Sequence, residues 1–487
     1  MLRHWAVCLA WLWLCVGHSE ASSQHKTAAG KLPVTTSSAP ARKHFEKAMQ
    51  NMEYVRRADA LNELREAAKA DPKFVPALIL ISHLSPDPEE QRSTRTRAKQ
   101  LAPHASVGEQ MLVRWLAGVQ EDHYVPAIAA MNDLLARYPQ DQRLGFLAGS
   151  WLVQQERYPQ AEVVLKRTIA LAPNYPAALN ELGYAYAFGG DFDKGFAAME
   201  RYVALQPGQP NPHDSYGEIL RLAGKFDAAL EQYRMSIQID PNFGSELGVA
   251  DTYALMGKEE EAREEYQRAI VFTTSESDKV AYELQSALTW MREGDHKQAE
   301  KALREVARHA HAAGLGRLEA EAHVAWALYE PDYKQAMKQV QAAQEALAER
   351  HPMSRTDQDE EQARVLQAQV LRSAEVQDWI SASQAIKQLD AMAQTSRSQS
   401  VQRCYHGATG ALLAAQTEYA DAIPHLEEDS ANPFSMRLLW QAYDHTGAAA
   451  QAATLAGKLS VFEVPTLEQV LVVPQFRASI VSKAERH

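Results

Sequence analysis

The sequence predicts an all-α fold, a right-handed solenoid (superhelix) of antiparallel helix-turn-helix units, and three observations carry that expectation. Pro139, Pro173, Pro207 and Pro241 stand 34 residues apart, each closing an apolar pattern of helical period. From Ala41 onward, helix-period stretches of about 12 to 15 residues alternate with short breaks, and none alternates like a strand before the last 25 residues or so. A chain of 487 residues is also too long for one compact core, which calls for several domains or a repeat array.

The unit at 176–209 sets the pattern. Leu179, Leu182, Gly183 and Tyr186 fall on one face of a first helix, and a Gly189-Gly190-Asp191 break follows. A second helix carries Gly195, Met199 and Tyr202 inward and stops before Pro207. The unit at 210–242 repeats this with Tyr216, Gly217, Leu220, Gly224, Ala229, Tyr233 and Pro241. The unit at 142–175 uses Ala148, Gly149, Leu152, Ala161, Leu165 and Pro173. The unit at 243–275 keeps Tyr253, Gly257, Ala262, Tyr266 and Ala269 without the closing proline. Small residues such as Gly217 and Ala229 let paired helices approach, and Tyr233 or Tyr266 fills the gap to the next pair. Gly224 and Gly257 permit the positive φ that ends a first helix.

In these features residues 139–270 closely resemble the tetratricopeptide-repeat (TPR) family. Looser matches run through Ala60, Leu64, Ala67 and Pro72, and through Trp115, Tyr124, Ala127 and Pro139. Downstream, Gly294 with Ala299, Tyr333 with Ala336, Tyr419 with Ala422, and Gly447 with Ala452 mark further hairpins, while 75–107 and 352–400 depart most from the pattern. The expected organisation is a signal peptide at 1–21, a disordered linker at 22–40 and degenerate N-terminal units at 41–141. Well-registered units at 142–275 and divergent hairpins at 276–459 follow, and 460–487 is a cap over the last exposed helix face.

Arg3 followed by the uncharged apolar run Trp5–Gly17, then Ser19-Glu20-Ala21, has the form of a secretory signal cleaved near Ala21. The run is short for a membrane span, though retention as an anchor is the alternative. Leu14 before Cys15 and Val7 before Cys8 argue against lipidation. The Ser/Thr/Ala/Pro-rich stretch that follows lacks any apolar period, hence the linker. This layout resembles exported bacterial TPR proteins, so a periplasmic or secreted location is expected. Cleavage leaves Cys404 alone, without an intramolecular disulfide partner, as either a buried small apolar residue or a free thiol. The net charge of −12 repels nucleic acid and anionic leaflets, so neither nucleic acid nor stable membrane insertion after cleavage is expected.

Chemistry-bearing motifs are absent: there is no HExxH, CxxC, P-loop or GxSxG. Gly314-Leu315-Gly316 lacks a third glycine and a preceding strand. His309 and His311, two apart, point to different helix faces and cannot share a metal there. Asp191 and Asp193 begin like a calcium loop that no glutamate completes. Arg92, Arg95 and Lys99 form a basic stripe and Glu259, Glu260, Glu261, Glu264 and Glu265 an acidic one, both expected as solvated faces. The chain is therefore expected to be no enzyme, to need no cofactor and to hold no metal.

The resemblance implies that the first helix of each hairpin lines a concave groove whose non-core positions touch ligand. Carried onto the registered units, these are Phe146, Ser150, Asn180, Tyr184, Asp214, Glu218, Arg221 and Asp251. Plain surface is the competing reading of the same positions. Asn180 could bond a peptide backbone and Tyr184 offers a rigid face. Asp214, Glu218 and Asp251 oppose the carboxylate clamp of chaperone-binding TPR domains, with which only Asn180 and Arg221 are compatible. The function expected is a non-catalytic interaction scaffold of the cell envelope that binds peptide segments of a protein partner or assembles a complex. The alternatives are an envelope-polymer hydrolase with a site not visible in sequence and a structural spacer or oligomerisation module. Partner identity and oligomeric state are not encoded in any motif.

Overall fold

The computed structural model describes residues 30–348 and 353–484; the expected signal peptide and the start of the linker lie outside them. Every regular element among the described residues is helical, and the helices pair in chain order into twelve antiparallel hairpins and one terminal helix. The first four pairs are α1 (Ala39–Glu53) with α2 (Arg57–Ala70), α3 (Val75–Leu84) with α4 (Pro88–Leu101), α5 (Val107–Gln120) with α6 (Tyr124–Arg137), and α7 (Gln142–Gln154) with α8 (Tyr158–Leu171). Next come α9 (Pro176–Phe188) with α10 (Phe192–Leu205), α11 (Pro210–Leu222) with α12 (Phe226–Ile239), α13 (Glu246–Leu255) with α14 (Glu259–Phe272), and α15 (Glu276–Glu293) with α16 (His296–Ala312). The last four are α17 (Gly316–Tyr329) with α18 (Tyr333–Ala348), α19 (Arg355–Glu375) with α20 (Trp379–Thr395), α21 (Gln399–Ala415) with α22 (Tyr419–Glu428), and α23 (Pro433–His445) with α24 (Ala449–Ser460). The divergent segments 75–107 and 352–400 thus contain hairpins of the same kind. Helix α25 (Leu467–Ala484) ends the described chain.

Packing within and between hairpins follows the small-against-large logic of the sequence. An added Cβ on Gly217, in the same hairpin as Tyr233, would lie 3.0 Å from its ring, and one on Gly248, in the next hairpin, 2.2 Å from it. One buried tyrosine therefore locks two consecutive hairpins, and Tyr202 and Tyr266 are equally enclosed. From α7 to α23 the first helix of each hairpin also touches the first helix of the next, forming a continuous inner layer. Gly224 and Gly257 adopt φ of 70° and 73° as the turns require. Asp122, Glu156, Gln377 and Thr417 occupy the equivalent left-handed turn without glycine, at a cost of about 1 kcal/mol each.

Several expectations are corrected. Residues 30–38, assigned to a disordered linker, run as an ordered extended strap. Leu32 N donates to Asp141 Oδ2 at 2.9 Å, Thr35 N to Glu109 Oε1 at 2.8 Å, and Thr36 Oγ1 to Asp71 Oδ2 at 2.6 Å. Three carboxylates thus anchor the segment, and Leu32 and Val34 pack from it against the core. The basic stripe is not wholly solvated: Arg95 is buried, donating to Gln120 Oε1 at 2.6 Å, while Lys99 pairs with Glu121. On the acidic stripe Glu259 is buried, and burial raises its carboxyl to about 7. Cys404 is a core residue whose thiol is pushed up by burial.

The superhelix curves far enough for distant hairpins to meet. Thr356 Oγ1 donates to Val119 O at 2.8 Å, Asp122 N donates to Thr356 Oγ1 at 3.0 Å, and Arg403 pairs with Glu156. The tail does more than cover the last hairpin. Val472, Val473 and Phe476 join the core of α21–α24, with the Phe476 ring edge-on to Trp440 at 5.1 Å. Val470 joins the core of α15–α17 together with Leu284 and Leu288. Helix α25 therefore crosses the inner face from α23 to α15, because curvature brings those two first helices to opposite walls of one groove.

Candidate functional site

The inner face of α9, α11 and α13 carries a connected polar cluster. Tyr184 Oη donates to Glu218 Oε2 at 2.6 Å. Arg221 Nη2 lies 3.6 Å from Glu218 and 4.0 Å from Asp251, and its Nε donates to Tyr233 Oη at 3.3 Å. Tyr266 Oη donates to Asp251 Oδ1 at 2.7 Å, and Ser245 Oγ donates to Asp214 Oδ1 at 2.6 Å. One device recurs. The wedge tyrosines Tyr202, Tyr233 and Tyr266, buried between hairpins, each turn the hydroxyl toward a first-helix polar side chain: Asn211, Arg221 and Asp251.

Enclosure by the inner layer weighs on the acids. Burial raises Asp214 to about 7 against the hydrogen bond from Ser245, with Glu218 and Glu246 adding to the rise and Arg221 opposing it. Burial likewise raises Glu181 to about 7, opposed by a hydrogen bond from Ser150, and lifts Asp251 against the pull of Arg221. On α9, α11 and α13, three polar atoms in nearly buried residues have no hydrogen-bond partner among the described residues: Asn180 Oδ1, Arg221 Nη1 and Glu246 Oε2. Such groups cost about 1–3 kcal/mol when left unpaired.

Of the eight positions transferred from the resemblance, six (Asn180, Tyr184, Asp214, Glu218, Arg221 and Asp251) come together on α9, α11 and α13. Ser150 reaches the cluster's edge through Glu181. Phe146 does not stand free in the groove: it is buried, its ring edge-on to Tyr175 at 6.2 Å, and belongs to the core. Sequence reasoning missed Glu181, Glu246 and the inward hydroxyls of the wedge tyrosines. It also missed Arg292 and Glu463, which come from α15 and from the segment before α25; Glu463 is close enough to feel both Arg221 and Arg292. Only the wedge tyrosines had a signal, their position in the repeat.

The remaining candidates have structural roles. His309 is held between Glu276 and Glu283 at 2.6 and 2.8 Å. Asp191 caps α10, and Gly314 forms the left-handed turn between α16 and α17. Among the described residues no group of three or more His, Cys, Asp or Glu side chains is placed to hold a metal ion. No helix among them is long and apolar enough to cross a membrane.

Paired helices of 13 or 14 residues from α7 to α12, small residues at their crossings and a wedge tyrosine in each later pair are now established. The repeats have the fold of tetratricopeptide repeats. No protein-family model and no curated protein matches the chain. Solved structures similar to this TPR solenoid include the APC/C hetero-tetramer Cut9-Hcn1, at 16% identity and TM-score 0.41, over 82% of this chain and 76% of that one. A thermophilic TPR protein from Thermus thermophilus is 23% identical with a TM-score of 0.27, over 41% of this chain and 92% of its own. MamA is 16% identical with a TM-score of 0.28, over 34% of this chain and 95% of its own. At such distances the likenesses carry no functional argument, which must come from the groove itself.

Proposed function

We propose that this TPR solenoid is a non-catalytic scaffold of the cell envelope that holds an extended segment of a partner protein on the inner face of α9–α13. One observation carries the reading: Asn180 Oδ1 and Arg221 Nη1 are an acceptor and a donor, buried and unpartnered among the described residues, on consecutive first helices. An extended backbone offers N–H and C=O groups at intervals and can satisfy both kinds of atom along one line. Tyr184, held by Glu218, supplies a rigid face beside them. Export rests on the N-terminal pattern of Arg3, the Trp5–Gly17 run and Ala21.

A photoreactive amino acid at position 184 or 218 of the full chain, activated in intact cells, tests the groove. The expected result is a crosslinked envelope protein that disappears in the Asn180→Ala, Tyr184→Ala double variant while helicity is kept. Crosslinks unchanged by the double variant would instead favour a spacer whose contacts lie elsewhere. N-terminal sequencing of the mature protein tests export: a start near residue 22 is expected, and an intact Met1 would refute cleavage.

A further inference from the structure

We infer that the groove selects a segment carrying a lysine or arginine side chain, which seats among Asp214, Glu218, Glu246 and Asp251. The inference rests on the groove reading above and adds the chemistry of the occupant. Asp214 and Glu218 on α11 and Glu246 and Asp251 on α13 share this stretch with Arg221, while Arg292 also draws on Asp251 and Arg268 on Glu246. Arg221 does not neutralise them. Its nearest carboxylate oxygens are at 3.6 and 4.0 Å, beyond a good charge-assisted hydrogen bond.

A second observation, independent of the acids' number, points to a ligand. Arg221 is 4% exposed and its Nη1 has no partner among the described residues, although the same guanidinium points between Glu218 and Asp251. Glu246 is 5% exposed and its Oε2 is likewise unpartnered. One acceptor at Arg221 Nη1 and one donor at Glu246 Oε2 would complete the hydrogen bonding of these two side chains. A residue with a backbone carbonyl and a cationic side chain provides both. An acidic side chain provides only the first and repels the rest.

Burial also holds Asp214 partly protonated near neutral pH. A cation beside it favours the ionised form and gains an attraction the empty groove lacks. No described helix covers this stretch as α25 covers the next one, although the segment before α25 adds Glu463, a further carboxylate, from the far side.

The test is selection of random dodecapeptides displayed on phage against the full-length mature protein, followed by affinity measurement on one synthetic winner. A lysine or arginine fixed at one position is expected. Replacing that residue by glutamine should weaken binding about tenfold or more, and so should Glu218→Gln in the protein. Asp214→Asn should act in the same direction; Glu218→Gln, at a more exposed side chain, reads the charge with little change in the fold. Winners without a fixed basic residue that still require Asn180 and Tyr184 would overturn the cation inference alone. Winners indifferent to Asn180→Ala and Tyr184→Ala would overturn the groove reading and the inference with it.

Discussion

The hairpins from α9 to α14 and those from α15 to α24 share one mode of pairing, yet their inner faces are opposites. In the first region the wedge is a tyrosine and the inner face is charged, carrying Asp214, Glu218, Arg221 and Asp251 with no described helix laid across it. In the second, helices lengthen to 21 residues in α19, and the inner face carries Leu284, Leu288, Leu371 and Phe434. That apolar face is where α25 lies, beside a cavity of about 400 Å³ walled also by Glu321, Glu361 and Arg364. Stacking needs only a small residue opposite a large one, as Gly410 opposite Leu426 shows in the second region. The inner face is free of that constraint, so one half could be given to the chain's own helix and the other left for a partner.

The sharpest way to break this contrast is to stop the chain after Ser460. Removing α25 deletes four buried apolar side chains, Val470, Val472, Val473 and Phe476, and should cost more than about 5 kcal/mol. Hydrogen exchange should lose protection in α15–α24 and keep it in α9–α14; uniform loss along the chain would contradict the division. Next in size, Tyr233→Ala empties the space between Gly217 and Gly248 and should destabilise by about 4 kcal/mol in chemical denaturation.

Asp214→Asn should act with the opposite sign. In the unfolded chain Asp214 ionises near 3.8, but in the fold its carboxyl is raised to about 7. Between those values the folded state keeps a proton the unfolded state has lost, so stability falls as pH rises through this window and levels off above it. The variant should therefore gain on the order of 1–3 kcal/mol at pH 8 and nothing at pH 3, read as the melting-temperature difference at the two pH values. Smallest is Tyr184→Phe, which removes the hydrogen bond to a half-exposed Glu218. About 1 kcal/mol or less is expected in denaturation, with a larger fraction of the effect appearing in ligand binding.

Legibility followed the same division. Where glycine marks the turn, at Gly224 and Gly257, the hairpin could be read directly. Where Glu156, Gln377 or Thr417 takes the same left-handed turn, no residue type announces it. The polar cluster was legible in its repeat positions and illegible in its additions. Phe146 holds the same repeat position as Asn180 yet packs into the core, because Tyr175 lies against it. Glu246 and Glu463 come from outside the transferred positions altogether. The strap at 30–38 was hidden for another reason. Its apolar residues are only Leu32 and Val34, too few to show a period, and the groups that order it, Asp71, Glu109 and Asp141, belong to three other parts of the chain.

Local pattern alone determined that this chain is a row of helical pairs, which residues wedge them and where the registered repeats begin and end. Those properties depend on contacts within a hairpin or with its neighbour, and such contacts leave a 34-residue period in the sequence. Tertiary structure alone decided that α25 bridges α23 and α15, that Thr356 meets Val119, and that Glu463 approaches Arg221. Each of these depends on the small rotation between successive hairpins summed over many repeats. No single residue encodes that sum, and it settles which half of the groove the protein fills itself.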